Sequence, residues 1–146
     1  MQESLPVGEP VLETPQAKPG EVVLLVEDEP SLRFLLRKLL VGAGYNVIEA
    51  KDGVEAIRVA DQHPGSIHLV ISDIIMPRMG GLELWKHLKD RRPPLKVLFA
   101  SGYADKVPGS QGGTDPEMEF LEKPFAKDQL LRKVRATLDK PLVTVS

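Results

Sequence analysis

Four short apolar runs, each leading into a polar or charged residue, constrain this 146-residue chain more than any other feature. Val22-Val23-Leu24-Leu25-Val26 leads into Glu27-Asp28, and Leu69-Val70-Ile71-Ser72 into Asp73. Val97-Leu98-Phe99-Ala100 leads into Ser101, and Phe120-Leu121-Glu122 into Lys123. Continuous apolar runs of this length suit strands buried on both faces. As parallel neighbours in one sheet they would gather three acids, a hydroxyl and a lysine at its carboxyl edge. Open α/β sheets bind their ligands at that edge.

Helical signals fill the gaps between the runs. Leu32, Leu35, Leu36, Leu39 and Leu40 recur at i, i+3, i+4, i+7 and i+8, the stripe of an amphipathic helix. Pro30 fits its first turn, and Gly42 and Gly44 suit a left-handed end. Asn46 to Glu49 is a short strand. Asp52, with Glu55 three residues on, has the pattern of a capping box. Pro77, Gly80 and Gly81 predict a loop before a helix holding Leu82, Trp85 and Leu88, and Pro93-Pro94 ends that connection. A last helix from about Lys127 to Leu138 shows Leu130, Leu131, Val134 and Leu138 on one face. Its Arg132, Lys133 and Arg135 are expected to face solvent. Five strands alternating with helices imply a parallel α/β sheet with right-handed crossovers. Lys106 to Pro116 is rich in Gly and Pro, so the helix between the fourth and fifth strands is expected to be short or irregular.

Residues 1–20 hold Pro6, Pro10, Pro15 and Pro19 and read as a flexible, Pro-rich tail or linker. The folded domain is expected over 21–140, with a C-terminal tail at 141–146. The absence of cysteine excludes disulfides, thiolate catalysis and Cys-ligated zinc. No apolar run approaches the ~20 residues that span a bilayer, and the start lacks the basic and apolar segments of a secretory signal. The expectation is a cytoplasmic protein with no direct membrane contact. A net charge of -2 gives no reason to expect nucleic acid as a direct partner.

The chemistry follows from the residue types at the sheet edge. Glu27 and Asp28 are hard oxygen donors suited to Mg²⁺, which takes one or two carboxylates and keeps several waters; alone, such acids also serve as helix caps. Asp73 can act as a nucleophile toward phosphorus, giving an acyl phosphate, if a cation offsets the incoming negative charge. Ser101 alone would read as a turn serine, and Lys123-Pro124 as a surface turn with a candidate cis bond. A lysine is also a point cation suited to phosphate. His63, His68 and His87 share no metal spacing. Met76 and Met79 read as loop packing and Trp85 as core.

Val-Leu-Leu-Val-Glu-Asp-Glu-Pro, Ile-Ser-Asp-Ile-Ile-Met-Pro-Arg-Met-Gly-Gly, Phe-Ala-Ser-Gly-Tyr-Ala and Phe-Leu-Glu-Lys-Pro-Phe together resemble the receiver domain of two-component response regulators. The resemblance runs from about Glu21 to Leu138. It implies a flavodoxin-like (βα)5 doubly wound sheet with strand order 2-1-3-4-5. It also implies Asp73 as phosphoacceptor from a histidine kinase or phosphotransfer protein, with Mg²⁺ held by Glu27, Asp28, Asp73 and the backbone carbonyl of Ile75. Ser101 and Lys123 would bind phosphoryl oxygens, and Phe120 would turn inward as Ser101 moves. Such a chain promotes only its own phosphorylation and dephosphorylation. The Ser-Gly-Tyr-Ala stretch and the eroded fourth helix resemble receivers at the C-terminal end of hybrid sensor histidine kinases. A stand-alone regulator and an excised hybrid-kinase domain both fit, and a phosphorylation-dependent homodimer stays open. Ile75 and Tyr103, two residues past Asp73 and Ser101, imply slow self-dephosphorylation, because neither favours an attacking water.

Two other classes are set against this reading. A pseudo-receiver that only binds partners would have lost an active-site residue, and none is lost. A haloacid-dehalogenase-like aspartyl-phosphate phosphatase would place two Asp residues two apart after the first strand, where this chain reads Glu27-Asp28-Glu29, and would carry a cap domain. No phosphate-binding glycine loop follows the first strand.

Overall fold

The apolar runs pair as one five-stranded parallel sheet in a computed structural model that describes residues 14–91, 95–102 and 118–141. The strands are β1 (Val22–Val26), β2 (Asn46–Ala50), β3 (Leu69–Asp73), β4 (Lys96–Ser101) and β5 (Met118–Glu122), in the order β2-β1-β3-β4-β5. Four helices are described: α1 (Pro30–Gly42), α2 (Gly53–Gln62), α3 (Gly81–Arg91) and α4 (Lys127–Asp139). This is the flavodoxin-like arrangement. The connection over 103–117, including Tyr103 and the expected irregular helix, lies outside the described residues, as does Pro93-Pro94.

Side chains alternate across each strand, so the sheet feeds two apolar layers. Leu24, Val26, Val70, Val97 and Phe99 pack against Ala56 and Ala60 of α2 and Leu84, Trp85 and Leu88 of α3. Val23, Leu25, Ile71 and Leu98 pack against Leu36 and Leu40 of α1 and Leu130, Leu131 and Val134 of α4. The leucine stripe of α1 is wider than its contact, for Leu35 stays 50% exposed beside Phe34. Gly42 remains helical and Ala43 is the cap. The left-handed residue is Gly44, at φ 102, which lets the Tyr45 amide reach back to the Leu40 carbonyl. At α2, Asp52 Oδ1 accepts from the Glu55 amide (2.8 Å), but Glu55 returns its bond to the Lys51 amide (2.7 Å), one residue before the cap.

The expectation that Lys133 and Arg135 face solvent is corrected. Lys133 pairs with Glu119 at 3.0 Å. Arg135 has only 15% of its side chain exposed and forks across Glu21 and Asp139, with bonds of 2.8–3.1 Å. The two acids hold its guanidinium firmly charged. Arg135 also reaches the Gln16 carbonyl, at 3.3 Å. The end of the Pro-rich segment therefore lies on the domain: the Ala17 amide donates to the Ala43 carbonyl at 2.8 Å, and Lys18 pairs with Asp139. His68, read as an ordinary histidine, uses Nδ1 to accept from the Val22 amide (3.0 Å). Among the described residues no helix is long and apolar enough to cross a membrane.

Candidate functional site

Parallel pairing aligns the strand ends. Val26 sits opposite Ser72 in register, and Asp73 opposite Ala100. Glu27 therefore emerges beside Asp73, with Ser101 one residue past Asp73's partner. The Lys123 amide donates to the Ser101 carbonyl at 2.7 Å, joining the ends of β4 and β5. The Lys123–Pro124 peptide is cis.

The acids converge. Glu27, Asp28 and Asp73 each offer a carboxylate oxygen, and these oxygens lie within 4.8 Å of one another. Glu27 (3% exposed) and Asp73 (8%) are buried, while Asp28 is open to solvent. Lys123 Nζ lies 2.5 Å from Asp73 Oδ1 and 3.9 Å from Glu27 Oε1. Glu27 is held at both ends: its Oε2 accepts from the Glu29 amide (3.1 Å), and its carbonyl accepts from Arg33 Nη1 (2.7 Å). Arg33 was missed in the sequence. It lies six residues past Glu27, where only the bend from β1 into α1 brings it back.

Burial pushes the Glu27 carboxyl up to about 7, the charge of Asp73 adds to the rise, and the Glu29 amide and Lys123 oppose it. Three carboxylates thus face a single ammonium among these groups. A divalent cation is the natural complement: the donors are all hard oxygens, and it would relieve the charge that Glu27 resists. Ile75 sits in the following loop and is 64% exposed.

Phe120 is half-buried and stacks on Phe99, with ring centroids 5.5 Å apart. The loop after Asp73 folds tightly: the Gly81 amide donates to the Ile74 carbonyl, and the Met79 amide to the Pro77 carbonyl, both at 2.7 Å. Met76 is buried and Met79 packs against the core, as expected of loop packing.

The sequence matches the response regulator receiver domain family over residues 23–135. It is 39% identical over 118 residues to the sensor kinase CckA of Brucella abortus (strain 2308), covering 81% of this chain and 12% of that protein. It is 38% identical over 120 residues to the response regulator MprA of Mycobacterium leprae (strain TN), covering 80% of this chain and 50% of that protein. The chain thus spans half, or far less, of the curated relatives it matches. The structure of response regulator TrrA from Thermotoga maritima, in complex with Mg(2+)-BeF, superposes with a TM-score of 0.67 at 29% identity, covering 80% of this chain and 98% of that one. With strand order, edge acids and family match in agreement, this chain belongs to the receiver domains of two-component response regulators.

Proposed function

We propose that this chain is the phospho-accepting element of a His-Asp phosphorelay, with Asp73 as acceptor. The observation that carries this reading is the cluster itself: Asp73 within 4.8 Å of two further carboxylates and 2.5 Å from the Lys123 ammonium. A carboxylate oxygen of Asp73 attacks phosphorus, the P–N bond to the donor imidazole breaks, and the imidazole leaves as it gains a proton. Lys123 then exchanges its contact with Asp73 for a phosphoryl oxygen, and Ser101 donates to another. Glu27, Asp28, Asp73 and the Ile75 carbonyl would hold Mg²⁺. When bound, it supplies charge neutralisation to the incoming phosphoryl group. The added charge biases a two-state element, with Ser101 moving toward the phosphate and Phe120 following. The donor is a histidine kinase or phosphotransfer protein, the chain acts on no substrate but itself, and its setting is the cytoplasm.

Incubation with acetyl phosphate and Mg²⁺, read by intact-protein mass, is expected to add one phosphoryl group. Asp73→Ala, or removal of Mg²⁺, is expected to abolish the gain. Wild-type protein that never gains mass, from acetyl phosphate or from a phosphorylated donor protein, would refute the reading and favour a module that only binds partners.

The exposed, apolar Ile75 cannot orient a water for attack on the acyl phosphate. Ile75→Asn is expected to shorten the lifetime of the phosphorylated protein severalfold, as followed by mass after removal of donor. An unchanged lifetime would show that Ile75 does not limit hydrolysis.

A further inference from the structure

The loop that follows Asp73 is fastened to the start of α2 by contacts that phosphotransfer chemistry does not itself require. Arg78 has φ 69, the left-handed region, and is the one non-glycine residue there among the described residues. Its guanidinium Nη2 pairs with Asp52 Oδ2. Asp52 is buried, and its other oxygen caps α2 by accepting from the Glu55 amide. The Glu55 amide and, after it, the Arg78 charge hold this carboxyl below its ordinary range against the effect of burial. The neighbouring pair of residues repeats the contact by packing. A Cβ on Gly53 would come within 2.9 Å of Met79 Cβ, Cγ and Sδ, so Gly53 leaves the space that Met79 fills.

The same turn also holds the other side of the acid cluster. Ala50 ends β2, and its carbonyl accepts from the Glu27 amide at 3.1 Å. The four residues 50–53 therefore touch both acid-bearing segments: Glu27 through Ala50, and the loop after Asp73 through Asp52 and Gly53. The Arg78 side chain is 60% exposed. Glycine would suit the left-handed backbone better, so local conformation does not explain an arginine at this position. The Arg78 side chain thus joins the loop after Asp73 to the residue that caps α2.

We infer that Asp52 and Arg78 are positioning residues for the Asp73 site. Their pair ties the loop carrying Ile75 to the β2–α2 turn, and so sets its spacing from Glu27 and Asp28 for a divalent cation. This inference rests on the phospho-acceptor reading. Asp52 and Arg78 act on the proposed ligands through the backbone rather than by direct contact, so the expected loss lies at the low end of the about 10–100-fold range for groups bonded to metal ligands.

The test uses wild type, Arg78→Gly and Asp52→Asn. Arg78→Gly suits the left-handed backbone. Asp52→Asn keeps an oxygen for the Glu55 amide and loses the charge that Arg78 pairs with. Mg²⁺ affinity is measured by titration calorimetry on metal-free protein, Tm without metal, and the rate of phosphorylation by acetyl phosphate across Mg²⁺ concentrations. Both variants are expected to keep Tm within about 4 °C of wild type while binding Mg²⁺ about tenfold more weakly. Their phosphorylation rates are expected to recover at saturating Mg²⁺. Variants that bind Mg²⁺ as tightly as wild type, or that lose Tm and affinity together, overturn the positioning role and leave a structural pair. Wild type that neither binds Mg²⁺ nor gains a phosphoryl group instead overturns the phospho-acceptor reading, and this inference with it.

Discussion

Gly81→Ala is expected to destabilise the domain by about 2–3 kcal/mol, to lower Tm by roughly 10 °C and to abolish phosphoryl acceptance at Asp73. A Cβ at this position would lie 2.2 Å from the Asp73 carbonyl oxygen, 3.1 Å from the Asp73 carbonyl carbon and 3.1 Å from Ile74 Cα. All three atoms are backbone, so no side chain can swing aside. Gly81 opens α3, and its amide closes the loop onto the Ile74 carbonyl. The added methyl must therefore push the start of α3 away from the end of β3. That displacement falls on the residue whose carboxylate sits among Glu27, Asp28 and Lys123. Gly42→Ala is the matched control, because a Cβ there meets nothing within 4 Å at the end of α1. It is expected to be neutral or to stabilise by about 0.5–1 kcal/mol. Thermal and urea denaturation of both variants, with intact mass after acetyl phosphate, gives the comparison. Equal Tm values for the two would mean that the backbone around Asp73 yields more readily than this geometry allows.

Glu27→Gln is expected to stabilise the metal-free protein at pH 8 by on the order of 2–3 kcal/mol and to remove most of the stabilisation that Mg²⁺ provides. The folded protein holds the Glu27 carboxyl up to about 7, against an ordinary value of 4.5. Between those values the native state binds the proton that the unfolded chain releases. Stability of the metal-free wild type therefore falls as pH rises from about 4.5 to about 7, and this contribution is flat above it. Glutamine carries no charge to bury and can still accept from the Glu29 amide. Its advantage over wild type should be greatest at pH 8 and shrink steadily toward pH 5. If Glu27 holds Mg²⁺ as proposed, the order is expected to reverse with Mg²⁺, because binding to the folded state stabilises wild type by mass action and the variant lacks a ligand. Tm across pH 5 to 8, in chelator and in Mg²⁺, reads both effects. Parallel curves for the two proteins in chelator would show that Glu27 carries no raised carboxyl.

The strands and the site were legible for one reason. A strand buried on both faces is an uninterrupted apolar run, and the residue that ends the run marks the sheet edge. Val22–Val26 and Leu69–Asp73 could thus be placed, and with them Glu27 and Asp73. Arg135 was misread because helical spacing reports only which face is polar. Its partner Glu21 lies 114 residues away, on a strand end that packing alone brings near. Asp52 was legible as the cap of α2, but its pairing with Arg78 was missed on the same ground, since a loop residue and a helix cap 26 apart have no common period. Leu35 belongs to the leucine stripe by spacing yet stays half-exposed, because the contact made by α1 is narrower than its apolar face.

By itself, then, the sequence determined the alternation of strands and helices, the parallel sheet, and the acids, hydroxyl and lysine at its carboxyl edge, because hydrophobic periodicity and turn chemistry are local. Only the tertiary structure decided that Glu27 resists its charge, that Lys123 rests against Asp73, and that Arg78 pairs with the cap of α2. Those outcomes depend on burial and on distances of a few ångströms between residues far apart in the chain, and no local pattern encodes either.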